Sequence, residues 1–584
     1  MFTAAVWVQS RNRTSHTPLG QAAFKLKIIE TFRRLASLTF VRLEIMNSKY
    51  LSKLGLGGLA GLAWALAGTV TAENWPGWRG PNANGVAPGG NPPEQFSEAK
   101  NVQWKIKVPG SGNSTPVIWG DQLFILTAEK TGKKVAAAEG GESRQRSQAN
   151  ERRRPSGQRP EGRGRSERGS REGGRNRERG SQSGFGGGGF NREEFLKRFD
   201  KDGDGELNDA ERDALRAEMR RQFGGERGGE RSRRSGRSSR GRGGFGGGGK
   251  PTEEYRFVLL SLDRHTGREN WRSVATTAVP HEGHHRDHGY ASGSPVTDGE
   301  HIVANFGSRG LFCFDMKGKL QWKKDFGDMR TRNSFGEGTS PALHGDTVVL
   351  LWDHEGDSAI YALDKKTGKL KWKQDRDEAT GWCTPVVTSH DGVTQVIVNG
   401  SRAVRSYQLS DGKLLWQCSG QTANCVPSVV VDEAFVYAMS GFRGAHVAAI
   451  KLGGSGDLTD SKSVAWTGNR GTPYVPSPLL SNGRIWYLAG NNGILSVRDA
   501  ETGKLLVEGE RLDGISGVYA SPVSAGGRVY IAGRNGTVSV LKDSAKLELL
   551  ATNELDDKFD CSPAIVGNQM FLRGKEHLYC IATK

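Results

Sequence analysis

The stretch Ser340–Trp372, SPALHGDTVVLLWDHEGDSAIYALDKKTGKLKW, is one complete unit of a repeat that runs through most of the chain. A Ser-Pro opening leads into the apolar segment TVVLLW, and a polar turn leads from there into AIYALD. The unit then closes with Asp364, a turn containing Gly368, and Trp372. Short apolar segments separated by turn residues predict β-strands rather than helices.

The Ser/Thr-Pro opening recurs along the chain. It stands at Pro116, Pro295, Pro341, Pro385, Pro478, Pro522 and Pro563, and Ser428 of PSVVV marks one further equivalent position. From Pro295 onward the openings are about 41 to 49 residues apart, which is the length of a four-stranded propeller blade. The eight openings therefore predict an all-β fold, an eight-bladed β-propeller.

Several units share the closing pattern of Asp, a turn with glycine, and tryptophan. Glycine at the turn permits a positive φ, and a large ring at the end of the outer strand can fill the gap between neighbouring blades. We therefore predict core positions for the tryptophans, which are Trp271, Trp322, Trp372, Trp416 and Trp466.

The last unit stops at LYCIATK and lacks an outer strand. The segment NVQWKIKV, residues 101–108, precedes the first opening and has Trp104 at the tryptophan position. We predict that this segment completes the last blade, so that the ring closes without an exposed sheet edge.

The repeat resembles the pyrroloquinoline-quinone (PQQ) type of β-propeller repeat, over residues 101–584 apart from an insert. Quinoprotein alcohol dehydrogenases and the lipoprotein of the outer-membrane β-barrel assembly machinery share this repeat. The stretches WPGWRGP, YASGSPVTDGEHI and NRGTPYVPSPLL further resemble a bacterial family of secreted propellers. The resemblance implies a fold, while function depends on the sites that the fold carries.

The basic character of the chain is confined to two segments. The 584 residues include 82 Lys/Arg and 64 Asp/Glu, for a formal net charge of +18. Residues 1–72 hold 9 basic and 2 acidic residues, and residues 139–250 hold 29 and 19. The repeat body is therefore close to neutral.

Residues from Met46 are typical of a secretory signal. Lys49 and Lys53 precede the apolar run LGLGGLAGLAWALAG, and the small residues Val70 and Ala72 follow it. We predict that translation starts at Met46, that cleavage follows Ala72, and that the protein is periplasmic or secreted. An uncleaved membrane anchor is the alternative.

A long insert interrupts the first blade, because Pro116 and Pro295 are 179 residues apart. The predicted organisation is a signal region 1–72, an N-terminal extension 73–100, a closing strand and start of blade 1 at 101–128, an insert 129–252, and the rest of blade 1 with blades 2–8 at 253–584. Most of the insert is rich in arginine, glycine and serine, a composition expected to be disordered. Its arms resemble nucleic-acid-binding tails but lack an aromatic stacking pattern, and export makes an anionic cell-surface polymer or a solvated linker the better interpretation.

Within the insert, DKDGDGELNDAE matches a calcium-binding EF-hand loop. Residues 191–223 contain the loop and two flanking segments with helical patterns, including Leu215, Met219 and Phe223 spaced four apart. The predicted calcium ligands are Asp200, Asp202, Asp204, Glu206, Asn208 and Glu211. No second loop is found to pair with this one, so affinity in the range of about 10⁻⁴ to 10⁻³ M is expected.

Two polar segments of the repeat body are candidate sites. HEGHHRDHGYASGSP, residues 281–295, carries a cluster that could hold a transition metal or only form hydrogen bonds, namely His281, His284, His285, Asp287 and His288. The loop WDHEGD and three arginines are further ligand-pocket candidates, namely Asp353, His354, Glu355, Asp357, Arg402, Arg443 and Arg470.

The cysteines bear on both redox state and cofactor. All six follow residue 312; Cys418 and Cys425 flank a short loop as a candidate disulfide, whereas Cys313 and Cys580 occupy the repeat position of Ala362 and are predicted core residues. In quinoprotein dehydrogenases the quinone stacks on a disulfide of adjacent cysteines and a tryptophan, beside calcium. No two cysteines are adjacent here, so pyrroloquinoline quinone is not an expected cofactor, whereas calcium is.

Two functional hypotheses follow. The first is an exported, monomeric scaffold or binding propeller that contacts a protein or an anionic cell-surface glycan and carries a calcium-binding insert. The alternative is a periplasmic quinoprotein-like oxidoreductase, or a metal-dependent enzyme, that uses the histidine-rich face.

The EF-hand assignment can be tested on residues 188–226 alone. Calcium should increase the helix content measured by circular dichroism, because the ion links the two flanking helices. The midpoint of this transition should lie near 10⁻⁴ to 10⁻³ M, to within roughly a factor of ten. The matched peptide with Glu211→Gln should show no transition in this range. A native peptide whose spectrum is unchanged by calcium would contradict the assignment.

Overall fold

The computed structural model of the protein describes residues 74–134 and 250–583. The signal region, most of the insert and all six predicted EF-hand ligands lie outside these residues, so those predictions remain expectations.

The described residues form 34 strands and two short 3-10 turns, Gly307–Arg309 and Arg332–Ser334. The first seventeen strands are β1 (Val86–Ala87), β2 (Val102–Lys107), β3 (Val117–Trp119), β4 (Gln122–Lys134), β5 (Glu253–Asp263), β6 (Glu269–Ala278), β7 (Val296–Thr297), β8 (His301–Asn305), β9 (Leu311–Asp315), β10 (Leu320–Lys324), β11 (Ala342–His344), β12 (Thr347–Trp352), β13 (Ala359–Asp364), β14 (Leu370–Asp375), β15 (Val386–His390), β16 (Val393–Val398) and β17 (Ala403–Gln408). The others are β18 (Leu414–Ser419), β19 (Val430–Val431), β20 (Phe435–Ser440), β21 (His446–Lys451), β22 (Gly456–Asp457), β23 (Val464–Gly468), β24 (Leu479–Ser481), β25 (Arg484–Leu488), β26 (Ile494–Asp499), β27 (Leu505–Arg511), β28 (Val523–Ala525), β29 (Arg528–Ala532), β30 (Thr537–Lys542), β31 (Leu549–Glu554), β32 (Ala564–Val566), β33 (Gln569–Arg573) and β34 (His577–Ile581). No helix in this part of the chain is long enough to cross a membrane.

The strands form eight sheets, which are the blades of an eight-bladed β-propeller. Each blade has four antiparallel strands, and β1 and β22 add a parallel edge strand to the seventh and the fourth blade. Counted from the axis outward, the blades are β3 to β6, β7 to β10, β11 to β14, β15 to β18, β19 to β21 with β23, β24 to β27, β28 to β31, and β32 to β34 with β2. The predicted all-β fold and blade number are confirmed.

Position within a blade explains the composition of each strand. All six residues of β12 are buried, because this strand lies between two neighbouring blades and both of its faces are covered. In the outer strand β14 only Trp372 is buried, and the other five residues are exposed or half-buried. The inner strand therefore appears as a continuous apolar run, whereas the outer strand is a mainly polar segment with one buried tryptophan.

The first segment of the body closes the ring as predicted. Strand β2 pairs with β34 and supplies the outer strand of the eighth blade, with Trp104 opposite Cys580. Its indole N–H donates to the carbonyl of Arg264 in the first blade, at 3.0 Å. Strand β2 thus completes the eighth blade and also contacts the first blade.

The tryptophans of the outer strands join neighbouring blades. Trp372 donates from its indole N–H to the carbonyl of Leu409 in the next blade, at 2.8 Å, and its ring lies over Gly412. A Cβ at Gly412 would come within 2.6 Å of that ring, and the residue has a φ of +77°. Glycine is therefore required there both for backbone conformation and for the close approach of the neighbouring ring.

The cysteines are all buried and none forms a disulfide. The pairing predicted for Cys418 and Cys425 is wrong. Cys418 points into the interface with the fifth blade, and the Cys425 thiol instead lies 3.8 Å from the carbonyl of Met439. Cys313 and Cys580 are core residues opposite Trp322 and Trp104, as predicted.

The N-terminal extension adds contacts that the repeat does not reveal. Trp75 pairs with Ile118 of the first blade, and β1 pairs in parallel with β28 of the seventh. Between these contacts, Arg79 donates to the carbonyls of Pro478 and Pro522 in the sixth and seventh blades. The extension therefore crosses the propeller axis.

Candidate functional site

A ring of hydroxyl groups surrounds the propeller axis. In seven consecutive steps, the backbone N–H of the Ser or Thr at the start of one blade donates to the corresponding side-chain hydroxyl of the next blade. These bonds run from Thr115 N to Ser294 Oγ (2.9 Å), Ser294 N to Ser340 Oγ (2.9 Å), Ser340 N to Thr384 Oγ1 (3.4 Å), Thr384 N to Ser428 Oγ (2.8 Å), Ser428 N to Ser477 Oγ (2.9 Å), Ser477 N to Ser521 Oγ (2.9 Å) and Ser521 N to Ser562 Oγ (3.0 Å). The Ser or Thr of each repeated Ser/Thr-Pro opening thus links its blade to the neighbouring blade.

A buried arginine bridges the junction between the eighth and first blades. Arg573 donates to the carbonyls of Ser114 and Leu126, at 3.0 and 2.9 Å. The side chain is 1% exposed and is fixed by these two acceptors of the neighbouring blade. The ring is therefore continuous around the axis.

A cavity of about 310 Å³ lies on this ring. It is built in two tiers, because alternate residues of an extended segment point the same way. The lower tier consists of ring hydroxyls, and the upper tier consists of the residue two positions before each of them. The upper tier, in blade order, is Asn113, Ser292, Gly338, Trp382, Val426, Val475, Tyr519 and Asp560.

The lower tier presents hydroxyl groups to the cavity. Six of them accept a backbone N–H and line the cavity, namely Ser294, Ser340, Thr384, Ser477, Ser521 and Ser562. Within the described residues, none of these six hydroxyls donates a hydrogen bond to the protein. Each has one donor and one further lone pair for a ligand.

The upper tier gives the cavity two different sides. Blades four to six contribute Trp382, Val426 and Val475, whereas the first, second, seventh and eighth blades contribute polar side chains. Phe335 and Tyr474, from the loops before blades three and six, add two more rings. The cavity therefore combines an apolar side with a side rich in hydrogen-bonding groups.

The N-terminal extension contributes to the cavity as well. Trp78 lines it, and Arg79 beside Trp78 is 3% exposed and bonded only to carbonyl oxygens, those of Pro478, Pro522 and Asn84. Burial lowers the pKa of Arg79 to about 9. Removing the extension would therefore open the axis and expose this guanidinium's acceptors.

Charged groups on the polar side are paired with each other. Arg534 contacts Asp560 at 2.6 Å and Asp287 at 3.0 Å, and Lys575 contacts Asp560 at 2.9 Å. Burial opposes ionisation of Asp287, but its hydrogen bond and charge interaction with Arg534 hold its pKa below the usual value. The guanidinium of Arg534 also lies 3.8 Å from the ring centre of Tyr519, so this side is rigid and close to electrically neutral.

The repeat is similar to that of a known protein family. Residues 256–504 match a family described as "Outer membrane protein assembly factor BamB". These repeats belong to the PQQ-like β-propeller family. No curated protein sequence matches the chain significantly.

Solved structures similar to this chain include natural and designed proteins. BamB from Moraxella catarrhalis has a TM-score of 0.41 and 13% identity, covering 56% of this chain and 93% of that one. The computationally designed Ika8 protein has a TM-score of 0.41 and 14% identity, covering 57% and 93%. The quinohemoprotein alcohol dehydrogenase from Comamonas testosteroni has a TM-score of 0.39 and 11% identity, covering 58% and 75%.

The histidine-rich loop of this PQQ-like propeller is divided between two places. His285, Asp287 and His288 line the axial cavity. His284 packs edge-on against Tyr290, with ring centres 4.5 Å apart, and His281 turns toward the carbonyl of Met329. The five residues predicted as one cluster therefore do not converge on a single point.

The second predicted polar loop belongs to the scaffold between blades. Asp353 forms a buried two-point ion pair with Arg376, at 2.8 and 3.0 Å. The ring of His354 accepts the backbone N–H of Arg330, and Arg402 pairs with Asp377 outside the cavity. Neither Asp353 nor His354 lines the axial cavity; nor do Glu355, Asp357, Arg402, Arg443 or Arg470.

Sequence reasoning missed most of the cavity wall. Trp382, Tyr519 and Asp560 were not singled out, although each stands two residues before a ring hydroxyl. A signal was present, since the ring position recurs in every blade and alternation places the residue two before it on the same side.

The pH dependence of stability provides a test of this environment. Burial lowers the pKa of His288 to about 4; the Gly289 carbonyl opposes this effect, while the charges of His284, Lys575 and His285 add to it. An unfolded histidine titrates near pH 6.5, so between pH 6.5 and 4 the unfolded state binds more protons and stability falls as pH falls. The contribution of His288 is fully present above pH 6.5.

We expect the free energy of unfolding to fall by about 1–3 kcal/mol more between pH 7 and 4.5 in the native protein than in His288→Gln. Denaturant unfolding at several pH values measures this difference. Parallel curves for the two proteins would contradict the assigned environment of His288.

Proposed function

We propose that this protein is an exported, non-catalytic binding propeller that holds a saccharide unit of a cell-surface glycan in its axial cavity. The observation that carries the proposal is the two-tier cavity, in which hydroxyl groups with free donors face a wall that is apolar on one side and polar on the other.

A sugar ring matches this arrangement in its chemistry. Each hydroxyl of a sugar both donates and accepts a hydrogen bond, as each hydroxyl of the lower tier can. The C–H face of a sugar is apolar and packs on aromatic rings such as Trp382 and Tyr474, which line the cavity. The cavity volume of about 310 Å³ is at the lower end of the range for small-molecule sites, roughly 300 to 1,000 Å³.

Charge pairing favours a neutral unit in the cavity itself. Arg534 and Lys575 are already bound to Asp287 and Asp560, so a negatively charged ligand would have to break these ion pairs. The anionic part of the expected glycan would instead suit the basic residues of segment 139–250.

Three expectations from the sequence remain part of the proposal. The protein is exported by the signal ending at Ala72, its insert binds calcium through the loop Asp200–Glu211, and it acts as a monomer. A scaffold role with a protein partner is supported by the description of the matched family as an outer membrane protein assembly factor.

The oxidoreductase alternative finds little support in the cavity. Pyrroloquinoline quinone is a tricarboxylate, and the two cations of the cavity region are paired with carboxylates. No cysteine lines the cavity within the described residues, so a disulfide for stacking has no place there. The residues present fit the quinone poorly.

Binding of oligosaccharides to the full-length mature protein tests the proposal. We expect a neutral oligosaccharide, from a panel of neutral and uronic-acid-containing probes, to bind with heat measurable by calorimetry. Trp382→Ala should weaken that binding at least about tenfold, because it removes the ring on the apolar side.

Leu370→Ala is the matched control, since Leu370 is 56% exposed on an outer strand away from the cavity. It should bind as the native protein does. Failure of every saccharide to bind, or equal affinity in Trp382→Ala, would contradict the proposal.

A further inference from the structure

Two loops meet beside the axial cavity around three ionisable side chains. His281 and Glu282 belong to the loop before the second blade, and Glu337 belongs to the loop before the third. One ligand atom from each lies within 4.8 Å of the others. All three line a small cavity of about 40 Å³, which is large enough for one ion or water molecule.

The carboxylates of Glu282 and Glu337 lie close together, and within the described residues neither is neutralised by a lysine or an arginine. Glu337 accepts hydrogen bonds from the backbone N–H and the hydroxyl of Ser308, and Glu282 accepts the backbone N–H of Thr331 at 3.1 Å and its hydroxyl at 2.5 Å. Among residues 74–134 and 250–583, neither glutamate forms an ion pair with lysine or arginine. Arg309, which lines the same small cavity, is paired with Asp328.

Two carboxylates held together in a partly buried place repel one another when both are ionised. Each of the hydrogen bonds described above uses one lone pair, and a carboxylate has about four acceptor positions. Both glutamates therefore have acceptor capacity left for a cation. A divalent ion between them would replace repulsion with attraction.

The imidazole of His281 lies close to these carboxylates. Its Nε2 lies 3.9 Å from Glu337 Oε1 and 2.5 Å from the carbonyl of Met329, to which it donates. Its Nδ1 lies 3.6 Å from Asp328 Oδ1. Metal binding at Nε2 would therefore replace the hydrogen bond to the Met329 carbonyl, with the ring proton moved to Nδ1.

We propose that His281, Glu282 and Glu337 bind a divalent transition-metal ion, and that zinc is the ion this ligand set fits best. Zinc takes imidazole nitrogen and carboxylate oxygen at about 2.1 Å, so one ion can span the 3.9 Å between Nε2 and Oε1. Calcium and magnesium prefer oxygen ligands alone.

The metal site would act on the axial cavity through the loops. The loop that carries His281 continues to His285 and His288, and the loop that carries Glu337 contains Phe335; these three residues line the axial cavity. The backbone N–H of His285 already donates to the carbonyl of Phe335 at 3.0 Å. A bound ion would add a second link and fix this wall.

Zinc binding to the full chain tests the proposal. The background is a protein with Asp200→Asn and Glu211→Gln, so that the predicted calcium loop does not take up the probe. After removal of metal with a chelator, zinc titration followed by calorimetry should show one equivalent bound. His281→Gln and Glu337→Gln should each weaken this binding at least about tenfold, because each removes one of three ligands.

The matched control is His301→Gln, in the other group of potential ligands, Asp298, Glu300 and His301. This variant should retain the equivalent of zinc. Circular dichroism without metal shows whether each variant is folded, and Glu282→Gln replaces any variant that is not. No zinc binding by the background, or binding that is lost in His301→Gln and kept in His281→Gln and Glu337→Gln, would overturn the proposal.

Discussion

A backbone N–H at the start of one blade donates to the Ser or Thr hydroxyl at the start of the next, and this hydrogen bond repeats around the axis. Five of the seven bonds join buried groups, and leaving one of these donors without its acceptor costs about 1–3 kcal/mol. The bond sets the distance between the innermost strands of neighbouring blades, and the tryptophans of the outer strands set the distance between the same blades at the rim. Trp372 over Gly412 shows the outer contact, and Ser477 N to Ser521 Oγ shows the inner one. Both depend on residues that recur once in each blade.

The same hydroxyls determine what the axis can bind. Because each accepts its hydrogen bond from the neighbouring blade, its own proton remains available to a ligand at the centre. The upper-tier residue, two positions before each hydroxyl, differs between blades. At this position Trp382 contributes to the apolar side of the cavity, and Tyr519 and Asp560 contribute to its polar side. A uniform ring thus carries a non-uniform wall, which is how a symmetric scaffold can recognise an asymmetric molecule. Loops beyond this wall add His285, His288 and Phe335, whose positions depend on the contact between the loops before the second and third blades.

Much of the fold could be predicted from the sequence because its determinants are local and periodic. The spacing of Ser/Thr-Pro gave the blade number, and Trp104 at the tryptophan position gave the closing strand. The predicted disulfide between Cys418 and Cys425 was wrong because spacing along the chain does not tell which blade interface each thiol faces. The role of Arg79 and the approach of Glu337 to His281 depend on contacts between distant segments that carry no repeat signal. The wall residues were missed although the ring position two residues later was recognised.

Amide hydrogen exchange at Ser477 tests the inter-blade hydrogen bond most directly. Its N–H donates to Ser521 Oγ at 2.9 Å, so exchange should be slow in the native protein and in Ser521→Thr, which keeps a hydroxyl as two ring positions naturally do. Ser521→Ala should accelerate exchange at Ser477 by about 5- to 150-fold, the equivalent of about 1–3 kcal/mol. Equal exchange rates at Ser477 in Ser521→Ala and Ser521→Thr would contradict the view that these hydroxyls hold the blades together.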